Sequence, residues 1–137
     1  MSDAPILDTH AWLWWLDGTG ALTAKERREL ESLVDVGTRP FVCSISLWEM
    51  ACLVDLGRVA LREGFDAWIE IAAAPGTVVV VDVVADIAKE LMRLPRSFHR
   101  DPADRLIVAS ARALGLPVLT HDTGIRRSGL VRLWRPP

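Results

Sequence analysis

Short apolar runs separated by amphipathic stretches organise this chain. Ile6-Leu7, Phe41–Ile45, Val78–Val81, Val118-Leu119 and Val131–Trp134 are the runs. Their length predicts strands, and the middle ones are β-branched enough to be buried on both faces. Between them, helical patterns cover His10–Leu16, Ala24–Val36, Leu47–Leu56, Phe65–Ala73, Ala85–Leu94 and Pro102–Leu114, closed by Gly57, Pro75-Gly76, Pro95 and Gly115-Leu116-Pro117. Strand alternating with helix predicts an α/β fold, a parallel sheet covered on both sides as an α/β/α sandwich. No repeat or linker divides the sequence, so residues 1–137 are expected to form a single domain.

Composition changes this picture little. Half the residues are hydrophobic and a quarter charged, with no Ser-, Gln- or Pro-rich tract, which argues against disorder. The first ten residues carry acids where a secretory leader carries basic residues, and no run approaches the ~20 apolar residues of a membrane span. A cytoplasmic protein without a membrane partner is expected. Cys43 and Cys52 have no metal-ligand spacing and lie in apolar segments, so they are expected to be buried free thiols. Charge is more informative. Residues 1–92 carry seven Lys and Arg against fifteen acids, whereas residues 93–137 carry nine Arg against Asp101, Asp104 and Asp122. A basic segment around a few acids suits an anionic polymer held near an acidic centre, and equally a solvated Arg-rich face.

The acids carry the candidate chemistry. Ligands of parallel sheets bind beyond the carboxyl ends of the strands, and Asp8 and Asp122 follow the first and fourth runs, at the same rim. "SISLWEM" is expected to bring Glu49 into the first turn of the helix leaving that rim, and "HRDPADR" opens another helix with Asp101 and Asp104. Each has a purely structural explanation to overcome. Ser46-x-x-Glu49, Asp101-x-x-Asp104 and Thr23-x-x-Glu26 all fit a capping box. Asp8 and Asp122 answer no obvious backbone need. Carboxylates converging from four elements repel one another unless a cation neutralises them. Oxygen ligands without His or Cys suit Mg²⁺ or Mn²⁺ rather than Zn²⁺, and such an ion accepts phosphate oxygens.

"ILDTH", "SLWEM", "HRDPADRLIVASA" and "VLTHD", in this order and at these intervals, resemble the signature of PIN-domain ribonucleases, especially the VapC-like toxins of toxin–antitoxin pairs. The likeness spans roughly residues 5–134. It implies a PIN-like parallel sheet ordered 3-2-1-4-5, metal-dependent hydrolysis of RNA, with tRNA or another structured RNA among the substrates, and neutralisation by a VapB-like antitoxin. Asp8, Glu49, Asp104 and Asp122 match the family's four acids in turn, and Asp101 the less constant earlier acid of its DPxD variant. On that basis Asp8 and Asp104 are expected to be central ligands, Asp122 a ligand of a second metal or a water-mediated contact, and Glu49 the group that orients or deprotonates water. Asp101 is assigned chiefly to N-capping, with Pro102 at the favoured first position. Thr9 and Thr120 are placed to hydrogen-bond the acids.

Arg100, Arg105, Arg126 and Arg127 flank these motifs and are candidates for holding RNA phosphates, or for ordinary salt bridges. His10, His99 and His121 neighbour the acids but match no ligand spacing. "HAWLWWL" is apolar on nearly every side, so either Trp12, Trp14 and Trp15 all enter the core or some face a homodimer interface or antitoxin groove. Trp48 and Trp68 are expected in the core. A receiver domain would need a lysine on the fifth strand, and an aspartyl phosphatase would need a DxD at the first; both are missing. The remaining alternative is a catalytically silent PIN-fold module that serves as a scaffold for its partner.

Overall fold

The computed structural model describes residues 4–136. Four parallel strands, β1 (Ile6–Leu7), β2 (Phe41–Cys43), β3 (Val79–Val81) and β4 (Val118–Leu119), form a sheet ordered β3-β2-β1-β4. Among the described residues seven helices surround it: α1 (Thr9–Asp17), α2 (Ala24–Asp35), α3 (Ser44–Asp55), α4 (Phe65–Ala72), α5 (Ala85–Arg93), α6 (Pro102–Leu114) and α7 (Thr123–Ser128). The register places Ile6 beside Phe41 and Val118, and Leu7 beside Val42 and Leu119. The fifth run contributes one bridge, Leu133 to Val118, beyond β4. Its position continues the 3-2-1-4-5 order. Gly129, at φ 69°, turns the chain just before it, and a two-residue edge strand offers little to pair with.

Side chains alternate across the sheet, because successive residues of a strand point to opposite faces. Leu7, Val42 and Leu119 join one core with Trp12, Leu30, Met50, Trp68 and Ala72, from α1 through α4. Ile6, Cys43 and Val118 join the other with Ile107 and Ala111 of α6. Both faces of the inner strands are therefore covered. β3 departs from the expectation of two-sided burial, since Val79 is exposed and Val80 and Val81 are half-buried. It is the sheet's edge, so its β-branched run has a neighbour on one side only.

Three further expectations change. α3 follows β2 with no loop and begins at Ser44, so Ser46 lies inside the helix instead of capping it, and Glu49 falls in the second turn. Trp48 projects to solvent, 56% exposed, whereas Trp68 is buried. Cys43 is a buried free thiol, as expected, but Cys52 is only half-buried. Among the described residues no helix is long and apolar enough to cross a membrane.

Trp12 shows how α1 is fixed. Its indole is fully buried, tilted against Trp68 with ring centroids 5.0 Å apart, and its Nε1–H donates to the Ala72 carbonyl at 3.0 Å. Trp12→Ala should cost about 3–5 kcal/mol of stability, the usual range for emptying a large aromatic site. Urea unfolding checks this, and a midpoint equal to that of the parent protein would contradict it.

Candidate functional site

The rim beyond β1 and β4 is built from residues that do two things at once. Asp8 ends β1 and caps α1: Oδ1 accepts from the Ala11 N–H at 2.8 Å, and Oδ2 accepts from the Thr120 hydroxyl. The same Thr120 oxygen accepts from the Asp122 N–H at 2.9 Å. Asp122 in turn caps α7, with Oδ2 accepting from the Ile125 N–H at 2.9 Å. The expectation that Asp8 and Asp122 meet no backbone need is thus overturned, because each stands immediately before a helix whose first N–H groups lack partners. Asp101 caps α6 as expected, accepting from Ala103 and Asp104 N–H groups, with Pro102 as the first helical residue.

Glu49 reaches the rim from α3. Thr9 connects it to α1, hydrogen-bonding the Glu49 carboxyl while its Oγ1 lies 2.8 Å from Ser46 Oγ. Ser46, fully buried, therefore ties α3 to α1 beside the acid. Thr23 and Glu26 do form the expected capping box at α2, and Glu26 Oε1 also lies 2.8 Å from His121 Nε2.

Electrostatics shows how crowded the acids are. Burial pushes the Asp8 and Glu49 carboxyls above their ordinary values. Asp104 is pushed up to about 7, by burial first and then by the charges of Asp101, Asp122 and Asp8. The partial counterweight is His99. Its Nε2 lies 3.0 Å from Asp104 Oδ2 and 3.2 Å from Asp122 Oδ2. His99, Asp104 and Asp122 each offer a ligand atom within 4.8 Å of the others, a geometry that can hold a metal ion.

His99 is the residue that sequence reasoning passed over. Ligand spacing rules assume one regular element, whereas His99 precedes α6 and folds back through a left-handed backbone, φ 28°. Gly124 makes the room: a Cβ there would stand 2.9 Å from His99 Cδ2 and 3.1 Å from Asp122 Oδ2. Of the arginines, Arg105 Nη1 donates to the carbonyls of Pro95, Phe98 and His99, fixing the loop that presents His99. Arg126 Nη1 donates to the Thr120 carbonyl at 3.1 Å. Arg100 and Arg127 are exposed, and Arg127 lines a cavity of about 320 Å³ that also touches His99 and Gly124.

A parallel sheet of this order, with acids gathered at its carboxyl rim, defines a class of fold and site, and the comparisons agree. The PIN domain family matches residues 6–129, and the chain belongs to that family. It is 31% identical over 121 residues to Ribonuclease VapC22 of Mycobacterium tuberculosis, covering 88% of both chains. VapBC2 from Rickettsia felis, solved bound to a promoter DNA fragment, has a TM-score of 0.72 at 16% identity, covering 96% of this chain and 98% of that one. FitAcB from Neisseria gonorrhoeae has a TM-score of 0.63 at 18% identity, covering 96% of each chain.

The raised carboxyls have a stability consequence with a definite sign. Asp104 ionises near 3.8 when unfolded and near 7 when folded, so between those values the folded chain binds the extra proton. Its contribution to stability therefore falls as pH rises from about 4 to about 7, and is level beyond. In metal-free buffer, Asp104→Asn should gain stability over the parent at pH ~8 and gain less at pH ~5. Urea midpoints at both values check this; a gain independent of pH would contradict it.

Proposed function

We propose that this protein is a metal-dependent endoribonuclease, the toxin of a toxin–antitoxin pair. The observation that carries the reading is the gathering of Asp8, Glu49, Asp104 and Asp122 from four elements at one rim, with Asp104 destabilised as an anion. An oxygen-rich, negatively crowded donor set fits Mg²⁺ or Mn²⁺. Asp8 and Asp104 would be the central ligands, with Asp122 and His99, which share a candidate ligand geometry with Asp104, beside them. When bound, a divalent cation makes water acidic enough to attack a phosphodiester and offsets charge on the departing oxygen. Glu49, whose burial raises its proton affinity, would orient the attacking water and, as the carboxylate, accept its proton. The water oxygen bonds to phosphorus as the bond to the leaving ribose oxygen breaks. Thr120 fixes Asp8 relative to Asp122, and Thr9 fixes Glu49. Arg100 and Arg127, exposed and within the Arg-rich segment 93–137, would meet flanking phosphates.

Asp8→Asn and Asp104→Asn should each lower RNA cleavage by more than the roughly 10–100-fold that outer partners of a metal site contribute, and EDTA should abolish cleavage by the parent. Asp101→Asn should keep most activity, because Asn caps a helix as well as Asp does. Cleavage of labelled RNA by purified variants decides. Near-parental rates for Asp8→Asn or Asp104→Asn would refute the ligand assignment, and absence of EDTA-sensitive cleavage by the parent would favour the silent scaffold.

The fold likeness to VapBC2 supports a VapB-like antitoxin as partner. A homodimer of this chain is part of the same reading. An acidic rim invites an Arg or Lys from the inhibitor, whose helix would pack near the half-buried Trp15. Inhibitor and Mg²⁺ should then compete. Calorimetric titration of the antitoxin at rising Mg²⁺ is expected to show weakening affinity; affinity indifferent to Mg²⁺ would exclude this mode of inhibition.

A further inference from the structure

Beside the acids lies a cavity with a different chemistry. It measures about 260 Å³ and is lined by Asp8, His10 and Trp14 on one side and His121 and Asp122 on the other. Three of its five lining residues, His10, Trp14 and His121, carry aromatic rings. His10 and Trp14 lie with centroids 5.7 Å apart, and His121 meets Trp14 edge-on at 6.2 Å. The catalytic reading accounts for the acids and leaves the rings without a task.

The wall is held in place from behind. The backbone of Gly20, in the left-handed region at φ 76°, lies so close to the indole that a Cβ would fall 2.2 Å from Trp14 Cγ. Arg27 Nη1 donates to the Trp14 carbonyl at 2.9 Å, and the same guanidinium reaches the Thr19 carbonyl. Glu26, locked into the α2 capping box, holds His121 at 2.8 Å. Trp14 is half-buried and His10 exposed, so the rings face a space open to solvent.

Size and charge restrict what enters. Drug-sized ligands occupy about 300–1,000 Å³, so this space suits one planar ring system. Asp8 and Asp122 mark the edge where a metal and the scissile phosphate would sit, which leaves the ring-lined part of the space for an uncharged planar group. Bases of single-stranded RNA bind proteins by stacking on aromatic side chains, Trp and His included. We propose that the cavity between α1 and the β4–α7 turn is a nucleobase subsite in which Trp14, flanked by His10 and His121, stacks the base of a nucleotide next to the scissile phosphate. The proposal rests on the ribonuclease reading for its substrate class. It adds that the substrate is unpaired at this nucleotide, because bringing a paired base to Trp14 costs unstacking and unpairing energy.

The test uses a fluorescent single-stranded RNA of about ten nucleotides, and versions with one abasic ribose moved along it. Binding is followed by anisotropy with Ca²⁺ replacing Mg²⁺, and cleavage is followed separately with Mg²⁺ or Mn²⁺. The parent protein should lose about tenfold in affinity at one abasic position. Trp14→Ala should bind intact RNA about tenfold more weakly and show no further loss at that position. Trp14→Phe, which keeps a ring, should stay within about threefold of the parent, and it preserves the test if the alanine variant does not fold. An abasic penalty that persists in Trp14→Ala, or intact RNA bound equally by Trp14→Ala and parent, would overturn the subsite. Cleavage by the parent with no abasic dependence in either assay would overturn it while leaving the ribonuclease reading standing. The predicted binding pattern without cleavage would do the reverse.

Discussion

The carboxylate of Asp8, buried at the end of the central strand, is the constraint on which the rest of the rim depends. Burial alone makes its ionised form costly. The fold offsets this with two donors from different elements, the Ala11 N–H of α1 and the Thr120 hydroxyl after β4. Those two bonds set how α1 leaves the sheet and where the β4–α7 turn lies. Thr120 then positions Asp122 through its backbone N–H, and Asp122 positions α7. A substitution at Asp8 therefore disturbs both a charge and a junction of three elements. Asn at this position keeps an acceptor for Ala11 and is the gentler probe.

Much of this was legible in the sequence because it follows from short-range rules. Strand ends at Leu7 and Leu119, the Thr23–Glu26 box and the Asp101-Pro102 start of α6 are local patterns with local causes. Errors fell where local and tertiary demands overlap. Ser46 matched a capping pattern, yet α3 starts earlier because it follows β2 without a loop, and Ser46 hydrogen-bonds Thr9 across an interhelical contact. Trp48 lies on an amphipathic helix, but only tertiary packing decides which of its faces is covered, and the Trp48 face is left open. α7, only six residues long, has too few apolar positions to announce a period.

The candidate site was legible as a set of acids and illegible as a geometry. His99 shows why. No spacing rule links a residue ahead of a helix to a residue in its first turn and another after β4, since the link depends on a left-handed residue, a glycine at Gly124 and three carbonyls held by Arg105. Each is a single substitution away from failing. Such coincidences of backbone and side chain belong to the folded chain and have no signature along it.

Capping and chemistry are often posed as rival explanations of an acid near a helix start. Here they are one explanation. Asp8, Asp101 and Asp122 each cap a helix, and α1, α6 and α7 all begin at the same rim. Free N–H groups and the positive ends of helices favour negative charge, so the fold tolerates a concentration of acids there that it would not tolerate at mid-helix. That tolerance is incomplete. Asp104 sits in the first turn of α6, gives no cap bond to its own helix, and is raised to about 7 by burial and then by the neighbouring acids. Glu49 and Asp104 cap no helix, and with the deeply buried Asp8 they are the carboxyls that burial raises. Helix caps and raised carboxyls interleave at one rim, and Asp122, a cap of α7, shares a candidate ligand geometry with Asp104 and His99, which is what turns a row of helix caps into a site able to bind metal.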